Sequence, residues 1–102
     1  MVKKVNAVEF DELMGKGTVI ADFSATWCGP CRMLSPVMEE LSEEKKDITF
    51  INIDCDECPD IAGRYNIMSI PAVLLFKDGQ KVAETVGFRS YEEMDEWING
   101  AL

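Results

Sequence analysis

Between Thr18 and Leu41 the chain changes its apolar period across a single five-residue segment, and this switch limits the available folds more than any other feature. Thr18 to Ala25 is a β-branched and apolar run broken by one acid, Asp22, and reads as a mostly buried strand. After Trp27-Cys28-Gly29-Pro30-Cys31 the apolar residues fall at Leu34, Val37, Met38 and Leu41, with Glu39, Glu40, Glu43 and Glu44 on the other faces. That spacing predicts an amphipathic helix. Pro36 lies inside it and removes one backbone donor, which predicts a kink, and Lys45 and Lys46 suit the negative dipole end.

The same alternation runs through the rest of the chain. Val2 to Val5 allows a short strand. Asn6 reads as a helix N-cap with Glu9 three places on, opening a helix to about Met14, and Gly15 and Gly17 then interrupt it. Ile48 to Ile53 predicts a third strand and Pro59 to Tyr65 a short third helix, with Asn66 where a left-handed cap residue belongs. Ala72 to Phe76 and Lys81 to Val86, joined by Asp78-Gly79-Gln80, predict a β-hairpin. A final helix is capped by Ser90 and Glu93 and carries Tyr91, Met94, Ile98 and Ala101 on its apolar side. The order βαβαβα followed by ββα predicts an α/β domain, a mixed sheet with helices on both faces. At 102 residues the chain is one domain, residues 1–102, able to bury its own core.

Composition narrows the chemistry. There is no histidine, which excludes imidazole triads, imidazole metal ligands and imidazole bases and leaves sulfur and carboxylate as the reactive groups. A net charge of −9 opposes binding to nucleic acid or to anionic lipid. The longest apolar run, Ala72 to Phe76, is far too short to cross a bilayer, and the start MVKKVNAVEF has no apolar signal region, so no membrane association and a cytoplasmic location are expected.

The strongest chemical signal is the Trp27–Cys31 segment at the strand-to-helix junction. The unpaired N–H groups at a helix start stabilise an anion, so a thiolate at Cys28 costs less than the ordinary thiol pKa of about 8.5 implies, and Arg32 adds positive charge. Cys28 is therefore expected to be exposed and substantially deprotonated. Two intervening residues set the cysteines about one turn apart, where they can close a small disulfide ring, and Pro30 restricts the backbone between them. A bare Cys-x-x-Cys is equally compatible with a structural disulfide or half of a metal site. Asp22 is open to two readings as well, because Ile20, Asp22 and Ser24 share one strand face that is either buried or wet.

Ala21-Asp22-Phe23-Ser24-Ala25-Thr26-Trp27-Cys28-Gly29-Pro30-Cys31 resembles the active-site segment of the thioredoxin family, which also serves as the standard example of this dithiol chemistry. The likeness runs over nearly the whole chain, through Asp56 and Pro59, Ile67-Met68-Ser69-Ile70-Pro71, Phe76-Lys77-Asp78-Gly79 and Val86-Gly87. It implies a thioredoxin fold, a central mixed sheet of five strands flanked by four helices, and protein-disulfide reduction. By the same likeness Cys28 is the nucleophile, Cys31 resolves the mixed disulfide, and Asp22 is a buried acid that exchanges a proton with Cys31, its pKa raised by desolvation. Pro71 is expected to be cis, Ile70 to pair its backbone with an extended substrate, and Trp27, Gly29, Pro30, Ile70 and Gly87 to line a shallow groove around Cys28. No bound cofactor is implied beyond the redox-active Cys28–Cys31 disulfide. The implied partners of this monomer are a separate reductase, NADPH- or ferredoxin-linked, and clients such as ribonucleotide reductase, peroxiredoxin and methionine sulfoxide reductase.

Cys55-Asp56-Glu57-Cys58 is a second Cys-x-x-Cys, with 23 residues between the pairs, and raises a four-cysteine zinc site as an alternative. Zinc ribbons favour about 15 to 20 intervening residues, and such a cage would consume Cys28. The pair otherwise reads as a half-buried strand end beside a helix, or as a regulatory second disulfide. Asn52 departs from the family pattern, standing where a lysine frequently sits near the buried acid, and Asn66 and Cys58 replace a usual glycine and a common asparagine. Competing functions are a non-catalytic docking subunit of the same fold, an oxidant or isomerase, and glutaredoxin-like chemistry, for which no glutathione site is evident.

Overall fold

The computed structural model describes all 102 residues. In chain order the elements are β1 (Lys3–Lys4), α1 (Ala7–Leu13), β2 (Thr18–Ser24), α2 (Gly29–Glu44), β3 (Thr49–Asp54), α3 (Pro59–Arg64), β4 (Ala72–Lys77), β5 (Gln80–Val86) and α4 (Tyr91–Ala101). They form one five-stranded sheet in the order β1-β3-β2-β4-β5. β1 and β2 run parallel to β3, while β4 runs antiparallel to both β2 and β5. The predicted mixed sheet and four helices are all present.

Strand alternation divides the core between the two faces of the sheet. Ala21, Phe23, Ile53, Leu74 and Phe76 pack with Phe10 of α1 and Ile61 of α3. Ile20, Phe50, Val73 and Leu75 pack with Leu34, Met38 and Leu41 of α2 and Met94 and Ile98 of α4. Phe10, Tyr65 and Phe76 meet edge to face, with centroids 5.2–5.9 Å apart. β2 is thus the middle strand, covered on both sides, and its C-terminal end delivers the Cys-Gly-Pro-Cys turn.

Local signals set most element ends. Asn6 and Ser90 each complete a reciprocal capping box, with Glu9 and Glu93 respectively. α1 stops at Leu13 because Met14 is already extended. Pro36 is carried inside a continuous helix. Lys45 caps that helix, and its ammonium reaches α4, 2.8 Å from Asp95 and 3.0 Å from Asn99, so it ties two helices together. β1 shrinks from the expected Val2–Val5 to two residues, and β3 lies one place later than expected because its ends follow its pairing with β2.

The hairpin loop is the two-residue Asp78-Gly79 instead of three residues. Both residues have positive φ, 51° and 87°, the requirement of the tight turn whose twist matches its strands. A Cβ added at Gly79 would lie 3.2 Å from the Gly15 backbone nitrogen. Gly79→Ala is therefore expected to destabilise the fold by about 1–2 kcal/mol, read as a lower urea midpoint. An unchanged midpoint would show that the turn relaxes freely.

The two margins of the sheet differ in build. β1 presents only exposed Lys3 and Lys4. β5 is mostly exposed, and its register with β4 shifts where Leu75 faces Ala83 but Phe76 faces Lys81.

Candidate functional site

Cys28 is the N-cap of α2, in extended backbone, and its Sγ accepts the N–H of Cys31 at 3.2 Å. A sulfur in this position receives a donor that the helix cannot satisfy internally. Cys28 N–H donates to the Ala25 carbonyl and Arg32 N–H to the Cys28 carbonyl, so both sides of the sulfur are fixed. Pro30, in the first turn, lacks only a donor that would have gone unpaired. Cys28 and Cys31 are joined as a disulfide, with Cα atoms 5.2 Å apart. The expectation of an exposed Cys28 is not met in this disulfide form. Bonded to Cys31 and packed with Ala25 and Ile70, the residue is only 5% exposed.

The surroundings come from three separate loops. The Ile70–Pro71 peptide is cis, and the Pro71 carbonyl accepts the Gly87 N–H at 2.7 Å, which brings the predicted cis proline beside the predicted groove residue Gly87. Gly87 has φ of 95°, a conformation side chains disfavour. Trp27 is 68% exposed, with its indole N–H donating to Asp56 Oδ2 at 2.8 Å. The turn carrying Asp56 is itself braced, because Asp54 Oδ1 accepts the N–H groups of Asp56 and Glu57. Sequence reading missed the role of Asp56 as the partner of Trp27, since 29 residues separate them. Met33, Met68 and Phe88, near these positions along the chain, are exposed apolar side chains of the kind that periodicity cannot distinguish from core. Arg32 donates to the Thr26 carbonyl at 3.0 Å and braces the loop.

Asp22 faces the α2 side of the sheet and is 3% exposed, which decides between its two readings in favour of burial. Its Oδ1 has no hydrogen-bond partner. Burial pushes its pKa up to about 7, because the charged form loses its hydration. The Asn52 amide, which donates to the Asp22 backbone carbonyl at 3.1 Å and to the Ser24 hydroxyl at 2.7 Å, lowers this pKa by less than burial raises it. A cavity of about 250 Å³ is lined by Asp22, Ser24, Asn52 and Cys31, with Lys4 and Arg32 also on its wall. It therefore joins the buried acid to the second cysteine. A larger open hollow beside Ala83, Arg89 and Trp97 contains neither cysteine nor Asp22.

Cys55 is half-buried and Cys58 buried, and both are free thiols. Burial, then neighbouring carboxylates, raise both thiol pKa values, the reverse of what a helix start does for Cys28. Nowhere do three or more cysteine, aspartate or glutamate side chains converge in a way that could hold a metal. With Cys28 bonded to Cys31, the four-cysteine cage considered from the spacing is not favoured.

Comparison with known proteins agrees with this geometry. The protein-family model described as Thioredoxin matches residues 1–100. The chain is 45% identical to a thioredoxin of Listeria monocytogenes, over 97% of each sequence. It is 43% identical to a Bacillus subtilis thioredoxin and 46% identical to one from Staphylococcus aureus, in both cases over 99% of this chain and 98% of the relative.

Proposed function

The chain belongs to the thioredoxin family, a protein-disulfide oxidoreductase that works by thiol–disulfide exchange, and from that premise we propose how its residues divide the work. The observation that carries the reading is the Cys28–Cys31 disulfide closed across the start of α2, with a backbone N–H directed at the Cys28 sulfur. Once the bridge is reduced, those donors favour the Cys28 thiolate. The thiolate attacks one sulfur of a client disulfide, and the other client sulfur leaves as a thiolate and takes up a proton. Cys31 then gives its proton to the Asp22 carboxylate and attacks Cys28 Sγ. The second client sulfur leaves, both electrons having passed to the client. The cavity shared by Asp22 and Cys31, and an acid titrating near neutrality, support this proton exchange.

Trp27, Gly29, Pro30, Ile70, Pro71 and Gly87 form the docking surface in this reading, with the Ile70 backbone pairing to an extended client segment. A reductase restores the dithiol, NADPH- or ferredoxin-linked, and clients include ribonucleotide reductase, peroxiredoxin and methionine sulfoxide reductase. The whole chain acts as one monomeric domain in the cytoplasm; no helix is long and apolar enough to cross a membrane. The Cys28–Cys31 pair alone carries the electrons, without a bound cofactor.

Removing the resolving thiol tests the sequence of steps. Cys31→Ser incubated with oxidised insulin is expected to accumulate a covalent adduct through Cys28 that dithiothreitol releases, and the same variant then identifies clients in a cell extract. No adduct, or one through Cys55 or Cys58, overturns the assignment.

A further inference from the structure

We propose that Cys55 and Cys58 form a second dithiol–disulfide couple, closed by a small-molecule disulfide, whose closing withdraws Asp56 from the Trp27 indole. The proposal rests on the docking role given to Trp27 above. Its geometry is local. The Cys58 N–H donates to the Asp54 carbonyl at 2.8 Å, closing one turn that holds Cys55 and Cys58 three residues apart. The active pair has the same sequence separation and closes a disulfide across it. Both second-pair sulfurs are free thiols, apart from the Cys28–Cys31 bridge.

Access and reactivity order the steps. Cys55 is half-buried and can meet a small oxidant, whereas Cys58, 7% exposed, packs into the core face with Val5 and Ile61. The Cys55 thiolate attacks one sulfur of an oxidised small disulfide, forming a mixed disulfide and releasing one small thiol, which takes the Cys55 proton. Cys58 then attacks Cys55 Sγ, releasing the second small thiol with the Cys58 proton. Two electrons pass from the pair to the oxidant, and excess small thiol reverses both steps. Burial and the carboxylates of Asp54, Asp56 and Glu57 raise both thiol pKa values, which slows their attack on a disulfide.

The link to the active site runs through the residue between the two sulfurs. The Asp56 carboxylate holds the Trp27 indole at 2.8 Å while its N–H is held by Asp54 Oδ1. Cys55 N–H is fixed to the Ser24 carbonyl at 2.9 Å and Cys58 N–H to Asp54, so both ends of the turn are anchored. Closing the bridge therefore loads the turn between these ends, where the Asp56 and Glu57 N–H groups share the single acceptor Asp54 Oδ1, and shifts the Asp56 carboxylate off the indole.

The test uses the full chain with Cys28→Ser and Cys31→Ser, which leaves only the second pair; serine retains the helix cap. The variant is equilibrated against stepped ratios of oxidised to reduced glutathione. Free thiols are counted by alkylation and mass, and the Trp27 indole N–H is followed by NMR with Trp97 as internal reference. At the oxidising end both thiols should disappear within single chains, with the Trp27 resonance shifting and that of Trp97 staying in place. Adding Cys58→Ser should halt the reaction at a glutathione adduct on Cys55. Thiols that still alkylate, bridges that form between chains, an adduct that fails to form on Cys55, or a closed bridge with an unmoved Trp27 signal each overturn the proposal. No client turnover enters the readout, so failure here leaves the reductase reading standing, whereas failure of the insulin trap leaves the couple and its effect on Trp27 measurable but removes their link to client docking.

Discussion

Cys28→Ser is expected to lower the rate of insulin-disulfide reduction by about 10³-fold or more, because a hydroxyl at neutral pH supplies none of the anion that an ordinary cysteine supplies at a few per cent. The helix start enlarges the difference, since its donors act only on a group that can ionise near pH 7. The fold should survive. Serine is among the best N-cap residues, and its oxygen can accept the Cys31 N–H that Sγ now takes at 3.2 Å. Far-ultraviolet circular dichroism should therefore match the parent while turnover is lost. A Cys28→Ser plus Cys31→Ser protein that retained full function would instead identify a docking subunit. A strongly oxidising potential in glutathione buffers would point to an oxidant of the same fold.

The largest stability effect should come from Asp22. The unfolded chain ionises this residue near 3.8 and the folded chain near 7, with burial the main cause. Below about pH 3.8 the carboxyl is neutral in both states and contributes nothing. Between the two values folding takes up a proton, so stability falls as pH rises, and above about 7 the full penalty is present. The difference corresponds to about 4 kcal/mol. Asp22→Asn is neutral throughout, so its stability advantage over the parent should be absent in acid, grow across the interval and level off near pH 8. Parallel urea-unfolding curves for the two proteins from pH 4 to 8 would refute the burial penalty. The same variant should resolve the insulin adduct more slowly and lose the inflection near pH 7, because Cys31 no longer has an acceptor for its proton.

How far the site could be read from the chain depended on how local its determinants are. Asn6, Ser90 and the hairpin turn act over two or three residues; the two caps appear where their chemistry placed them, and the turn does so with Gln80 already in the strand. Asn66 has φ of 54°, the left-handed conformation expected after α3. The burial of Asp22 needed the third dimension, since alternation gave its face but not what covers that face. Asn52 is the clearest case. Its substitution for a cation left the size of the Asp22 shift open, and only the pairing of β2 with β3 showed both its amide hydrogens engaged by Asp22 O and Ser24 Oγ. The shielding of Cys28 and the Trp27–Asp56 bond were hidden for the same reason: they join segments that meet only through the sheet.

The outermost strands carry a consequence for how the molecule behaves at high concentration. An uncovered strand offers a row of free donors and acceptors on which another chain can grow, and length, flatness and apolar content make that growth easier. Here one flank is two lysines long, and the other is charged and offset by its bulge. A crowded solution of these chains finds no ready template for fibril extension, so the carrier can remain abundant while its reactive surface stays available for brief encounters.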